Sequence, residues 1–132
     1  MFEVLGLETR VVNIASVAGA GDKTAILQPS DGEIWIVVEA LGYNDEGAIQ
    51  SRWSYTDGTL TIILDPALAV ATTDRISCYS KSPNSANAHS TARLPFVLNS
   101  AASLTWTSFS LAAGKKGYVD AIVQVLRGVP LQ

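Results

Sequence analysis

An all-β, antiparallel sandwich or barrel of about eight strands is the fold predicted by three features of this 132-residue sequence. First, two long runs rich in β-branched and aromatic residues, 33–43 and 117–127, read as strands. Second, turn residues recur at near-regular spacing between shorter alternating segments, as in sandwiches and barrels. Third, no stretch has the length and period of a helix that could carry a parallel crossover, so the strands must pair antiparallel.

The elements follow in chain order. Residues 2–7 form a short arm or edge strand, and Arg10 to Val17 a ragged strand broken by Ala18-Gly19-Ala20-Gly21-Asp22. That turn lacks the third glycine or Gly-Lys-Ser/Thr ending of a phosphate loop, and no helix follows it. Thr24 to Gln28 is a short strand ended by Pro29, which cannot donate to a ladder. The run from Glu33 to Tyr43 has two faces. Ile34, Ile36, Val38 and Ala40 form one, and Ile34, Ile36 and Val38 are assigned to the core; Trp35, Val37, Glu39, Leu41 and Tyr43 form the other face.

From Ala48 to Thr56 the chain alternates, with Ile49, Trp53 and Tyr55 inward. Asp57-Gly58 signals a hairpin into residues 59–64, where Leu60, Ile62 and Leu64 are expected to point inward. Residues 65–71 begin as a helix would, with Asp65 then Pro66, though a further strand fits as well. Arg75 to Tyr79 is a strand holding Cys78 as a small buried hydrophobe. The polar loop 80–92, with Asn84, Asn87 and His89, is a candidate contact loop. Residues 93–98 form an edge strand marked by Pro95, and 103–109 an alternating one. The last long strand puts Val119, Ala121, Val123 and Val125 in the core, with Tyr118, Asp120, Ile122, Gln124 and Leu126 outside.

One composition zone and no internal repeat make residues 1–132 a single domain, with an N-terminal arm at 1–9 and a tail at 128–132. Charged residues are 16% of the chain, low against a typical ~25%, while 48% is hydrophobic. Much of the surface is therefore either neutral and polar or covered by a partner. The net charge is −3, and Lys115-Lys116 is the sole basic pair, so nucleic acid is not an expected partner. The start of the chain lacks the basic and apolar segments of a signal peptide, and no run reaches the roughly 20 apolar residues of a membrane helix. Synthesis in a cytoplasm and no membrane partner are the expectations.

Chemistry has little to work with. His89 is the single histidine and Cys78 the single cysteine, too few for a zinc set or a disulfide framework. A Cys78–His89 nucleophile pair would place the thiol in an apolar strand, where its pKa rises. Carboxylates are dispersed. Asn44-Asp45-Glu46 is too short for a calcium loop of the EF-hand type, and Glu39 and Asp120 are the two that could face each other across long strands. No enzyme, cofactor or metal is expected. Trp35, Trp53 and Trp106 invite a sugar-stacking role, but each lies in an alternating strand where packing or an interface is the simpler reading. Trp35, Glu39 and Tyr43 combine aromatic and charged groups as protein interfaces do, and Tyr118 and Asp120 join them as candidate interface residues.

The opening Gly-rich turn, Pro29 and Gly32-Glu33-Ile34-Trp35-Ile36-Val37-Val38 resemble the start of small tailed-phage structural proteins. Leu94-Pro95-Phe96-Val97-Leu98, the Leu104-Thr105-Trp106 strand, Ala112-Ala113-Gly114 and Val119-Asp120-Ala121-Ile122-Val123 fit the same layout. The resemblance spans most of residues 10–127. It implies a jelly-roll-like β-sandwich and a capsid decoration (cement) role on the virion surface. The implied partners are the major capsid protein and the chain's own copies in a symmetric homo-oligomer, often a trimer. It carries no catalytic residues. The competing expectation is a carbohydrate- or receptor-binding sandwich of a fibre or tail, which would leave at least one tryptophan exposed beside polar loops.

Overall fold

The computed structural model describes residues 2–64, 68–72, 74–79 and 95–130, with side chains outside 7–127 and at residue 68 left aside. Its ten strands are β1 (Phe2–Ala15), β2 (Gly21–Leu27), β3 (Glu33–Asn44), β4 (Ile49–Thr56), β5 (Thr61–Ile63), β6 (Leu68–Val70), β7 (Ile76–Ser77), β8 (Val97–Leu98), β9 (Ser103–Leu111) and β10 (Gly117–Pro130). All pairings are antiparallel, and the described residues contain no helix. The all-β sandwich read from the sequence is the fold.

One sheet runs β1-β10-β3, with β7 and β8 sharing the far edge of β3. The other runs β2-β9-β4, with β5 and β6 sharing the far edge of β4. Each of those edges is one interrupted lane, so the sandwich has eight lanes. Counted along the chain, the order is 1-8-3-6 facing 2-7-4-5.

Between the sheets lies a core of Val119, Ala121, Val123 and Val125 from β10, with Trp35, Val37 and Ala40 from β3. Ala25, Leu27, Trp53, Leu104 and Trp106 face them from the second sheet. Cys78 is buried at this core. β10 supplies its inward face as its alternation predicts, and β4 does likewise with Ser51 and Trp53.

β3 departs from strict alternation. Glu39 sits opposite Ile122 and Val37 opposite Val123, which leaves Val38 as an extra residue, a β-bulge. A one-residue insertion exchanges the faces on either side of it. Ahead of the bulge Trp35 and Val37 point inward, and Ile34 and Ile36 turn outward. After it Ala40, Gly42 and Asn44 point inward. The core assignment of Ile34, Ile36 and Val38 is therefore reversed; Val38 is 52% exposed. The bulge sits where the neighbouring lane changes hands, since β8 pairs Trp35 and Ile36 while β7 pairs Leu41 and Gly42. Between them Val37 N–H donates to Phe96 O at 2.9 Å and Cys78 N–H to Ala40 O at 2.9 Å.

Three further expectations change. Leu60 and Ile62 are exposed, Leu60 in the turn ahead of β5 and Ile62 within a three-residue edge strand exposed throughout; Leu64 alone of that set packs on the core. The segments 2–7 and 10–17 are one strand, and the residues read as arm and tail pair with each other, Phe2 opposite Pro130. Residues 68–70 are strand, the second of the two readings of 65–71; residues 65–67 lie outside the described residues. The Asp57-Gly58 hairpin is present. Asp57 Oδ1 accepts from Thr59 N (2.8 Å) and Leu60 N (2.9 Å), and Gly58 takes a φ of +97°, where glycine has no steric penalty.

Candidate functional site: the outer face of the β1-β10-β3 sheet

The register places five rows of side chains across this face. They are Leu7-Leu126-Ile34, Thr9-Gln124-Ile36, Val11-Ile122-Glu39, Asn13-Asp120-Leu41 and Ala15-Tyr118-Tyr43. Leu7 is 63% and Val11 66% exposed, with Val38, Val97 and Ile122 also open to solvent. Isolated exposed aliphatics are ordinary on a monomer, whereas a contiguous sheet face of them marks a contact surface.

Within the face Val11, Asn13, Glu39, Leu41, Asp120 and Ile122 line a shallow cavity of about 320 Å³. Glu39 and Asp120 are diagonal neighbours on β3 and β10, so the two carboxylates share that cavity. Glu39 is held from one side: Ser77 Oγ donates to Glu39 Oε1, which also accepts from Ala40 N at 2.9 Å. Burial, together with the nearby Asp120 carboxylate, raises the Tyr43 pKa.

At the lower end Tyr43 and Tyr118 stack, with centroids 5.1 Å apart and planes 16° apart. The Arg75 guanidinium lies 3.7 Å from the Tyr43 ring centroid, a cation–π geometry. Tyr118 Oη donates to Asp45 Oδ2 at 3.1 Å. Asp45 Oδ1 in turn accepts from Lys116 N at 2.8 Å, tying the β3–β4 turn to the start of β10.

Four of the five candidate interface residues in the long strands, Glu39, Tyr43, Tyr118 and Asp120, are brought together on this face. Trp35 is not. The bulge turns it inward, where it is 6% exposed and donates Nε1–H to Glu33 Oε1 at 3.1 Å. Asn84, Asn87 and His89 lie outside the described residues. Trp53 and Trp106 are buried as well, so no tryptophan offers a stacking platform.

Sequence reasoning missed Val11 and Arg75, and set Leu41 and Ile122 on outward faces without singling them out. For Val11 the signal was available, since a strand of alternating apolar residues beside β10 must show one of its faces. Arg75 reaches Tyr43 through the β3–β7 pairing, which no local pattern encodes.

At the opposite end an ion cluster covers the rim of the core. Arg10 Nη1 lies 3.2 Å from Glu33 Oε1, Arg127 Nε 3.0 Å from Glu33 Oε2, and Glu8 Oε1 meets both arginines at 2.6 and 3.0 Å. The Arg10 hydrogen bond, aided by Arg127 and Trp35, outweighs burial and holds the Glu33 carboxyl at about 2. This cluster is structural: it satisfies a largely buried carboxylate beside Trp35.

Among the described residues no three of His, Cys, Asp and Glu cluster as metal ligands would. No family model, curated protein or solved structure matches the chain.

Proposed function

We propose that the protein is a virion structural component, a capsid decoration (cement) protein that binds the phage head as a symmetric homo-oligomer. The observation that carries the reading is the outer face of the β1-β10-β3 sheet. It exposes Leu7, Val11, Val38, Val97 and Ile122 around two carboxylates, an apolar surface with retained charge as interfaces have. That face is the one offered to the major capsid protein at the particle surface, and many copies on a lattice would add weak contacts into firm attachment.

The eight-lane order supports the same reading. In 1-8-3-6 facing 2-7-4-5 every step along the chain crosses between sheets except the hairpin from lane 4 to lane 5, which we infer to be a jelly roll, an architecture shared by capsid proteins and lectins. Carbohydrate binding, the other role open to this architecture, draws less support. All three tryptophans are buried, and Tyr43 is already engaged by Arg75 and Tyr118.

Ile122→Lys tests the reading, because Ile122 is at the centre of the face and is 42% exposed. Co-sedimentation with capsid shells should fall at least tenfold in affinity while thermal unfolding stays within about 0.5 kcal/mol of the parent. Unchanged occupancy of the shells by the variant contradicts the assignment.

A further inference from the structure

We propose that β1 is a self-association edge, and that two copies pair their β1 strands antiparallel about a two-fold axis at Thr9. This specifies the self-association within the proposed function, and rests on that reading only in expecting copies to assemble.

β1 is a 14-residue edge strand with the sequence FEVLGLETRVVNIA, paired on one side by β10 and on the other by no strand of the described residues. Proteins usually blunt such edges with proline, lysine or brevity; this one contains no proline or lysine. The direction of its free backbone groups is fixed by the ladder. Ser16 N–H donates to Gly117 O at 2.8 Å, and the pairing continues without shift from Ala15–Tyr118 to Leu7–Leu126. Hydrogen-bonded positions alternate along an antiparallel strand. Residues 14, 12, 10 and 8 therefore bond toward β10, and Leu7, Thr9, Val11, Asn13 and Ala15 direct N–H and C=O to the open edge.

A two-fold pairing centres either on an outward residue, as a hydrogen-bonded pair, or on an inward one, as a non-hydrogen-bonded pair. Centred on Thr9, Thr9 exchanges both bonds with the partner's Thr9, and Leu7 pairs with the partner's Val11. Glu8 then stands opposite the partner's Arg10, and Arg10 opposite the partner's Glu8, in the non-hydrogen-bonded positions where side chains approach most closely. Centres at Glu8 or Arg10 are compatible with the backbone but set like charges against each other at the axis, in the closely spaced non-hydrogen-bonded pair. A centre at Val11 places Arg10 against the partner's Val12 and Glu8 against its Ile14. Only Thr9 satisfies charge, apolar pairing and hydrogen-bond parity together. Glu8 and Arg10 are already bonded at 2.6 Å within the chain, and an alternating four-charge array would extend that pair across the axis. The joined sheet would also carry the outer faces of both copies side by side, presenting Leu7, Val11 and Ile122 of each as one surface.

The experiment is native mass spectrometry and sedimentation of the full chain and two sets of variants. Thr9→Pro removes the central outward N–H without touching a bond to β10, so the fold, read by circular dichroism, should persist. The parent is expected to contain an even number of chains, and Thr9→Pro to raise the dissociation constant at least tenfold. In the second set, Thr9→Cys should oxidise rapidly to a covalent dimer, because paired Cα atoms near 5.5 Å fit a disulfide. Asn13→Cys, facing the partner's residue 5 instead of its own copy, should cross-link at least tenfold more slowly. A monomeric parent, a Thr9→Pro mass equal to the parent's, or equal cross-linking at both positions overturns the proposal. Capsid binding that survives such a result, and is lost in Ile122→Lys, would leave the decoration role standing with its self-contact elsewhere.

Discussion

The indole of Trp106 lies flat against the backbone of Gly42, so that a β-carbon at position 42 would collide with its six-membered ring. The same indole donates Nε1–H to Tyr43 O at 3.1 Å and meets Trp53 at a centroid distance of 5.3 Å. This contact fixes the spacing of the two sheets under the aromatic cluster of the outer face. Gly42→Ala should therefore cost about 2–3 kcal/mol, an overpacking penalty, although alanine suits a strand better than glycine. Urea denaturation measures it as a fall in midpoint at unchanged slope; a midpoint equal to the parent's would show that the indole can withdraw.

Glu33 predicts an acid-dependent loss of stability. Its folded pKa, about 2, lies below the ordinary value of 4.5. The unfolded chain thus takes up the proton first as pH falls. The contribution is complete above about pH 5 and disappears as pH drops toward 2. With Arg127 partly exposed and the pairs screened by solvent, about 1–2 kcal/mol is expected at neutral pH. In Glu33→Gln that increment should be missing at pH 7, and the parent-minus-variant difference should shrink to near zero by pH 2. A difference independent of pH would assign the effect to packing beside Trp35.

The bulge at Val38 gives a prediction of its own. Deleting Val38 joins Val37 to Glu39 and restores simple alternation, keeping Trp35 and Val37 inside and Glu39 outside. The fold should survive with a loss of about 1 kcal/mol. Tryptophan emission should stay near the parent's, because Trp35 keeps its place opposite Val125; a shift to the red would show that the deletion had turned Trp35 to the outer face.

That bulge also explains what could be read from the sequence. Strand identity, the antiparallel sandwich and the core face of β10 follow from a side-chain period of two, and Val119, Ala121, Val123 and Val125 obey it without interruption. In β3 both faces are apolar, so the pattern is equally satisfied in either phase. Nothing local marks Val38 as the extra residue. The outward face was legible only past the bulge, at Glu39 and Tyr43, and Trp35 was misassigned for that reason. Leu60 and Ile62 alternate properly, yet a strand's inward side is buried only where another sheet lies over it, and β5 is an edge strand exposed throughout. The pairing of residues 2–15 with 117–130 joins the two ends of the chain, a contact that local pattern cannot express.

The two carboxylates of the outer face should matter for partner recognition in proportion to their exposure. Asp120→Asn removes the charge near the Tyr43 hydroxyl at almost unchanged side-chain volume. It is expected to leave unfolding unchanged within about 0.5 kcal/mol and to reduce the salt dependence of capsid attachment. Glu39→Lys should do more, since it loses the Ser77 and Ala40 contacts and also reverses the charge beside Ile122. An Asp120→Asn protein whose attachment keeps the parent's salt response would place the contact away from this cavity.

The most direct test is the occupancy of capsid shells by the parent and by Ile122→Lys, measured by co-sedimentation at matched concentrations. Saturable binding of the parent, with at least a tenfold loss in a variant that unfolds as the parent does, is the predicted result. A parent that remains in the supernatant, or a variant that saturates the shells equally well, would contradict a decoration role exercised through the outer face of the β1-β10-β3 sheet.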